Sequence, residues 1–325
     1  MIYVKGGLEV RREEMKMWNE YLTKFSTKIE GKLLEDLKTE INSKNDIVKN
    51  HYRKLMNQAK IQLNNLKNTL MDIFMYSIFD KYNWKLRAKG ETPTKEFRRF
   101  KGTIMRFEDY LDEDLIYYAI KDECIEMGNI NRMEIERIIK SSSYLAQGLR
   151  NLKNFELTTL ANELKRHMIY NVSKDLPDKL YRIKSQHYGT LLMTRSEDHS
   201  TAIEHIKTSI LCLPIGEQHV LNMFLYLSMI VLNLWEIKSR SNIYAPLDHG
   251  VSEVILSLGL TDKRIETLEY ESLGFKVYKT ISEVLFPEEP SKMMVTRAIA
   301  ERWCYQREIK ICDECWLNKV CPKEY

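Results

Sequence analysis

Four cysteines stand close together near the C-terminus and could bind a metal through their thiolates. They are Cys304, Cys312, Cys315 and Cys321, with the spacing C-x7-C-x2-C-x5-C. Four soft sulfur donors suit either a structural zinc ion or an iron–sulfur cluster. Zinc sites usually pair two short cysteine knuckles, whereas here one C-x2-C knuckle is combined with two longer arms. We therefore predict a [4Fe–4S] cluster bound by the segment 304–321, with zinc as the alternative.

The cysteine usage and the first residues of the chain indicate a reducing compartment. Of the six cysteines among 325 residues, only Cys124 and Cys212 lie outside the C-terminal group. A disulfide framework would instead spread its cysteines along a short secreted chain. No apolar segment follows the basic residues at the N-terminus, and no uninterrupted apolar stretch is long enough to span a bilayer. We expect a cytoplasmic or nucleoid-associated protein that has no contact with a membrane.

Three segments of the sequence resemble the endonuclease III and adenine-mismatch glycosylase family of the helix-hairpin-helix superfamily. The cysteine tail is similar to the family's C-x6-C-x2-C-x5-C cluster loop, with one extra residue after Cys304. Residues 191–206, LLMTRSEDHSTAIEHI, resemble an early helix-to-helix segment of the family, and residues 246–260, PLDHGVSEVILSLGL, resemble the segment with the catalytic aspartate. The resemblance covers roughly residues 185–325. It implies a helical DNA glycosylase domain with a [4Fe–4S] cluster, DNA as the partner and Asp248 as the catalytic carboxylate.

Asp248 has a chemical role and a structural role open to it. Cleavage of an N-glycosidic bond develops positive charge on the sugar, which a nearby carboxylate stabilises. An aspartate directly before a helix is also a common N-cap, and the two roles are compatible. The resemblance predicts a helix that follows Asp248 and ends in a turn of the leucine-glycine-leucine type.

The nucleophile is predicted to be water rather than a lysine amine. The family's hairpin resembles Leu213–Gly216, which has one glycine fewer, and the family's lysine would fall near Gln218 or His219. No lysine occurs between residues 208 and 237, so a Schiff base is not expected in this region. Gln218, His219 and His249 are candidate site residues, although a lone histidine is usually structural.

A basic segment between residues 87 and 102 could contact nucleic-acid phosphates. The net charge of the chain is only +4, so any nucleic-acid site must come from a local cluster. The segment is predicted to be a loop in which Phe97 and Phe100 are interleaved with cations, either binding DNA or simply solvated. The cations are Arg87, Lys89, Lys95, Arg98, Arg99 and Lys101.

The elements around these residues are predicted to be helices. Apolar residues recur every three or four positions from Trp18 to Ile41 and again from Val48 to Ile73, which predicts a long N-terminal helical hairpin. The polar run Ser43–Asp46 predicts its turn, with Asp46 as a cap. The two stripes would pack on each other, or one of them would bind a protein partner.

No alternating strand pattern occurs, so the fold class is predicted to be all-α. Turn residues around Pro177 predict a boundary between an N-terminal helical domain, 1–176, and an endonuclease III-like domain, 177–325.

Three functions compete on these observations. The first is a DNA glycosylase-like repair or defence enzyme that hydrolyses an N-glycosidic bond. The alternative is a non-catalytic iron–sulfur protein that binds DNA or assembles a complex. A third is an iron–sulfur nuclease or primase subunit, because nucleases bind Mg²⁺ through clustered carboxylates. The carboxylates that could serve it are Glu108, Asp109, Asp112, Glu113 and Asp114.

Overall fold

The structure is a computed structural model that describes residues 32–61, 63, 65–83, 93–123, 130–153, 156–168, 195–261, 265, 273–304 and 312–322. All regular secondary structure in these residues is helical, which confirms the predicted all-α fold class. The α-helices of this part of the chain are α1 (Lys32–Gln58), α2 (Leu66–Asn83), α3 (Pro93–Thr103), α4 (Glu113–Glu123), α5 (Arg132–Arg150), α6 (Leu157–His167), α7 (His199–Cys212), α8 (Gln218–Leu225), α9 (His249–Ser257), α10 (Leu273–Leu285) and α11 (Met294–Ile299).

Shorter helical turns extend or join several of these helices. Two are π-helical: Tyr226–Val231 continues α8, and Ala300–Cys304 continues α11 as far as the first cysteine of the tail. Two are 3-10 turns, Phe107–Leu111 before α4 and Pro290–Met293 before α11. Within the described ranges, none of the helices has the length and apolar character that a membrane span requires.

The chain divides into two compact units. Unit 1 comprises Met1–Val48 and Leu247–Tyr325, and unit 2 comprises Lys49–Pro246. The boundary predicted between residues 176 and 177 lies outside the described residues. Helices α7 and α8, expected in the C-terminal domain, group with unit 2, where α7 packs along α6 and α8 packs against α2.

Helix α2 forms the centre of unit 2. All its side chains from Thr69 to Asp80 are buried, as expected for a helix that is apolar on every side. Phe74 meets Phe224 of α8 edge to face, with 6.4 Å between ring centroids. Phe79 packs in the same manner against Phe97 of α3 at 5.8 Å. These aromatic contacts fix α3 and α8 on α2.

The predicted turn at Ser43–Asp46 is wrong, because α1 runs through it without interruption. The hydroxyl of Ser43 donates to the carbonyl of Glu40 at 2.8 Å, so this polar side chain is satisfied by its own helix. Ile41, Asn45 and Val48 are buried at helical spacing on one face, which keeps the segment helical. Asp46 is therefore an interior residue of α1 rather than a cap.

Helix α1 ends instead at Gln58, and a Schellman motif with Lys60 as its left-handed residue follows. The amide of Lys60 donates to the carbonyl of Asn57 at 3.0 Å, and the amide of Ile61 donates to that of Met56 at 3.1 Å. Lys60 has a φ of 59°, the left-handed conformation that the motif requires at this position. Ile61 and Met56 are both buried, as is usual for the apolar contact of this motif. The second helix of the predicted pair thus begins later, at Leu66.

Replacing Lys60 by Gly is expected to raise the free energy of unfolding by about 1 kcal/mol, because glycine adopts the left-handed conformation without steric cost. Denaturant titrations of the two proteins would measure the difference. Lys54→Gly is a matched control, since Lys54 is exposed inside the same helix. That change is expected to lower stability by about 1 kcal/mol. A loss of stability in Lys60→Gly would contradict the assignment of the cap.

The segment 93–102, predicted to be part of a loop, belongs to α3. Phe97 and Phe100 lie on one face of this helix and are completely buried. The hydroxyl of Thr94 lies 3.2 Å from that of Tyr76 in α2, which attaches the first turn of the helix. The interleaved aromatic and basic residues therefore reflect helical amphipathicity, since the two phenylalanines form the buried side.

Candidate metal centre and the Asp248 carboxylate

Three of the tail cysteines lie in consecutive tight turns. The amide of Cys315 donates to the carbonyl of Cys312 at 3.1 Å and so closes the short knuckle. The amide of Cys321 donates to the carbonyl of Leu317 at 2.8 Å, and the Leu317 side chain is buried beneath these turns. The Cys321 Sγ atom donates to the backbone oxygen of Ser257 at 3.3 Å. This last bond attaches the tail to the end of α9.

The three thiols are near enough to affect one another. Burial raises the pKa of the Cys315 thiol, and the neighbouring Cys321 and Cys312 push it in the same direction. A hydrogen bond from the Leu317 backbone partly opposes them. Crowded thiolates repel each other, and a bound cation relieves that repulsion. The donor chemistry therefore fits a thiolate-bound metal.

An aromatic contact between neighbouring residues places Cys304 near the short knuckle of Cys312 and Cys315. Trp303, beside Cys304, packs on Trp316, beside Cys315, with 4.8 Å between ring centroids. The guanidinium of Arg302 lies 5.5 Å from the Trp316 ring and 5.8 Å from the Trp303 ring. The first cysteine and the knuckle are thus held in one neighbourhood. No group of three or more His, Cys, Asp or Glu side chains in the described ranges has the convergent arrangement of a finished metal site.

Asp248 is the N-cap of α9, as its position before the helix predicted. Its Oδ1 atom accepts a hydrogen bond from the Val251 amide at 2.8 Å, and its backbone is extended with a φ of −133°. The helix ends as expected in a leucine-glycine-leucine turn. There Gly259 has a φ of 67°, and the Leu260 amide donates to the carbonyl of Ile255 at 3.1 Å.

The second oxygen of Asp248 faces a buried arginine. Arg297 Nη2 of α11 lies 3.6 Å from Asp248 Oδ2, and the two side chains are 0% and 12% exposed respectively. Arg297 Nε also donates to Glu301 Oε1 at 3.1 Å. Burial raises the pKa of the neighbouring Tyr278 well above its ordinary value; the charge of Asp248 adds to this rise and that of Arg297 opposes it.

The Arg297 guanidinium thus contacts two carboxylates, Asp248 and Glu301, beside the first turn of α9. The small exposed fraction of Asp248 gives its carboxylate limited access to solvent. Such a carboxylate can stabilise a cationic sugar or orient a water molecule.

Arg297 was missed in the sequence analysis, although the sequence contains a signal for it. It is the only charge in the run MMVTRAIA, residues 293–300, and a charge inside an apolar run needs a buried partner. The same signal marks Asp80, at the end of the apolar run IFMYSIFD, residues 73–80. Local sequence could not name either partner.

The other candidate site residues have separate environments. His219 lies in the first turn of α8, where its Nε2 atom is 2.9 Å from Oδ2 of the buried Asp80. Gln218 accepts a hydrogen bond from the Asn222 side chain at 3.5 Å. His249 is half-buried in the first turn of α9, beside Asp248 in the chain. The Asp80 carboxylate fixes the orientation of the His219 ring.

The candidate hairpin Leu213–Gly216 forms the turn between α7 and α8. The Gly216 amide donates to the carbonyl of Leu213 at 2.8 Å, and a Cβ at Gly216 would overlap the backbone oxygens of Ile210 and Leu211. Only glycine fits there. The Ile215 amide donates to Ser141 Oγ at 2.9 Å.

Helix α5 holds this turn from outside. Arg137 Nε and Nη2 both donate to the carbonyl of Pro214, at 2.9 and 2.7 Å. Arg137 Nη2 is also 3.7 Å from Glu217 Oε1, and Lys81 Nζ is 2.5 Å from Glu217 Oε2. Glu217, which follows the turn, is therefore paired with two cations, Lys81 and Arg137.

The basic residues of α3 differ in exposure. Lys95 and Arg98 are exposed, and Arg99 Nη1 bonds to the buried Glu96 at 3.2 Å. Lys101 Nζ donates to Asp72 Oδ1 at 2.9 Å and is only 10% exposed. The ammonium group of Lys101 is thus engaged inside unit 2. Arg87 and Lys89 lie outside the described residues.

Asp72 forms a buried polar cluster with Lys101 and Tyr110. Its Oδ1 atom also accepts the Tyr110 hydroxyl at 2.6 Å. Burial raises the pKa of Asp72, and the charge and hydrogen bonds of Lys101 and Tyr110 oppose the rise. This cluster accounts for Lys101, whose side chain faces inward.

Two residues of the acidic run 108–114 serve as helix caps. Asp109 Oδ2 accepts the amides of Met105 and Arg106 at 2.8 and 2.7 Å. Asp112 Oδ1 accepts the amide of Leu115 at 3.0 Å, at the start of α4. Local capping therefore explains these two aspartates without a Mg²⁺ site.

No family model, no curated protein and no solved structure matches this chain.

Proposed function

We propose that the protein is a DNA glycosylase-like repair or defence enzyme that hydrolyses an N-glycosidic bond, with Asp248 as the catalytic carboxylate. The observation that carries this proposal is the Asp248 environment: one oxygen is fixed by the Val251 amide, and the other lies beside the buried Arg297. Such fixed surroundings let the carboxylate act on a developing cation without reorganising first. The glycosylase-like segment around Asp248 supplies the reaction class.

A water nucleophile is proposed rather than an amine. The position where the family has its lysine holds Gln218 and His219, and His219 is engaged by Asp80. An oxocarbenium-like transition state forms as the base departs, and water then adds to the sugar. Asp248 would stabilise that cation and accept or orient the proton of the water.

The C-terminal cysteines are proposed to hold the cofactor. Cys304, Cys312, Cys315 and Cys321 would bind a [4Fe–4S] cluster, with zinc as the less favoured alternative. The bound group would supply folding energy to the tail, because the four ligands come together in the folded chain and not in the unfolded one.

The reaction is tested on duplexes that each carry one deaminated, oxidised, alkylated or mismatched base. Wild type is expected to leave abasic sites, seen as strand breaks after alkali, and borohydride should trap no covalent complex. Efficient trapping would contradict the water mechanism and would indicate a Schiff base formed by an amine of the protein. If no duplex is cleaved although DNA is bound, the non-catalytic DNA-binding role takes precedence.

Replacing Lys95 and Arg98 together by Ala is expected to weaken DNA binding equally on all sequences. Both are exposed on α3, and loss of two phosphate contacts should lower the slope of log K against log salt by about 2. Fluorescence anisotropy at several salt concentrations measures this slope. Arg166→Ala, which removes an exposed cation of α6, is the control. An unchanged slope in the double variant would remove α3 from the DNA interface.

A further inference from the structure

Helix α9, which begins after Asp248, is attached at both ends to the cysteine-bearing segment of unit 1. At its N-terminal end, Asp248 Oδ2 lies 3.6 Å from Arg297 Nη2. At its C-terminal end, the carbonyl of Ser257 accepts a hydrogen bond from the protonated Cys321 Sγ at 3.3 Å, a bond that a metal-bound thiolate does not make. A helix of nine residues has little stability of its own, so the N-terminal attachment is the one that can position it in both forms.

The N-terminal attachment leads directly to the first cysteine. Arg297 lies in α11, and Glu301, which accepts from Arg297 Nε at 3.1 Å, lies in the π-helical turn that follows. That turn ends at Cys304, where the Trp303 ring packs on Trp316. Single π-turns of this kind often occur at functional sites, because they shift the direction of the following side chains.

We propose that Arg297 is a positioning residue for Asp248, and that the cysteine segment sets the position of the start of α9 through Glu301 and Arg297. Ordering the four cysteines fixes α11, and α11 holds the carboxylate at the start of α9. Losing that order releases the start of the helix. The proposal rests in part on the proposed metal centre, but the contact between Arg297 and Asp248 does not require activity.

The chain contains a matched reference for α9. Helix α7 is also capped by an aspartate: Asp198 Oδ1 accepts the Thr201 amide at 2.8 Å, as Asp248 Oδ1 accepts the Val251 amide. Helix α7 belongs to unit 2, whereas the four cysteines belong to unit 1. Its amide exchange therefore reports general destabilisation, while that of α9 reports the proposed attachment as well.

Hydrogen–deuterium exchange with peptide resolution tests the proposal on the full-length protein. In Arg297→Gln, amides of α9 are expected to exchange about tenfold faster, with α7 unchanged, because local opening follows local stability. Arg297→Lys keeps the charge and should restore part of the protection. Cys312→Ser disorders the metal site without removing a contact to α9, and should also speed exchange in α9. Cys212→Ser in α7 is the thiol control.

The outcomes separate this inference from the proposed activity. Faster exchange confined to α9 supports it, whether or not the wild type cleaves DNA. Unchanged exchange in α9 of a folded Arg297→Gln protein overturns it, as does equal acceleration in α7 and α9. If the wild type contains no metal, the Arg297 variants alone test whether Arg297 positions α9, because their effect does not depend on a bound ion.

Discussion

Replacing Asp248 by Asn is expected to slow base release by at least about a hundredfold, the usual loss when one preorganised electrostatic group is removed from a reacting centre. Asparagine is nearly isosteric and is a good N-cap, so the hydrogen bond from the Val251 amide should survive. What disappears is the charge that stabilises the cationic sugar. Single-turnover measurements on a duplex that wild type cleaves would give the ratio directly, and DNA affinity should remain unchanged.

The structure adds a stability effect to this substitution. Asp248 lies beside the completely buried Arg297, which retains Glu301 as a charged partner in the variant. We expect the free energy of unfolding to fall by about 1–2 kcal/mol, less than for a buried charge left with no partner. Thermal denaturation would measure this, and the kinetic assay should be run well below the variant's Tm.

Asp198→Asn is the matched control for the same experiment. Asp198 caps α7 through the Thr201 amide, and its side chain is exposed in the structure. Its replacement should leave base release unchanged. A wild-type rate in Asp248→Asn would refute the catalytic assignment, and equal losses in both variants would indicate a capping effect rather than chemistry.

Cys312→Ser is expected to abolish the cofactor. Anaerobically purified wild type should be brown, absorb broadly near about 400 nm and contain about four irons per chain, as a thiolate-bound cube requires. Serine is a poor ligand for iron, so the variant should be colourless. Metal binding contributes to the stability of the folded chain. The free energy of unfolding of the variant should therefore be lower by several kcal/mol.

Cys212→Ser separates a ligand effect from a general cysteine effect. Cys212 is a buried thiol at the end of α7, away in sequence from the tail. Iron content and colour should be retained in this variant. Stoichiometric zinc without iron in wild type would establish the alternative metal, and wild type without any metal would refute the cofactor assignment.

Local sequence patterns determined several features of this protein. The recurrence of apolar residues every three or four positions specified helices, because the backbone hydrogen bonds of a helix are local and this spacing places the apolar residues on one face. Asp248 and Gly259 mark the two ends of α9, since a side-chain acceptor and a left-handed residue act on backbone groups only a few positions away. The cysteine spacing likewise defines one candidate metal centre.

Tertiary structure decided which polar residues belong to turns. Ser43–Asp46 and the segment from Pro93 onward have compositions typical of loops, yet both are helical. In each case buried residues on one face, such as Ile41 and Phe97, outweigh the weak local preference of the polar residues. The size of that contribution depends on what packs against the face, which a local pattern does not contain.

Tertiary structure also decided the partners of the charged groups. His219 meets Asp80 across 139 residues of sequence, and Asp248 meets Arg297 from a different helix. Sequence shows only that a charge inside an apolar run needs a partner, because an unpaired buried charge is too costly to keep. Which group satisfies it depends on how the helices pack, and that packing turns Asp248 from a simple cap into a member of a charged cluster.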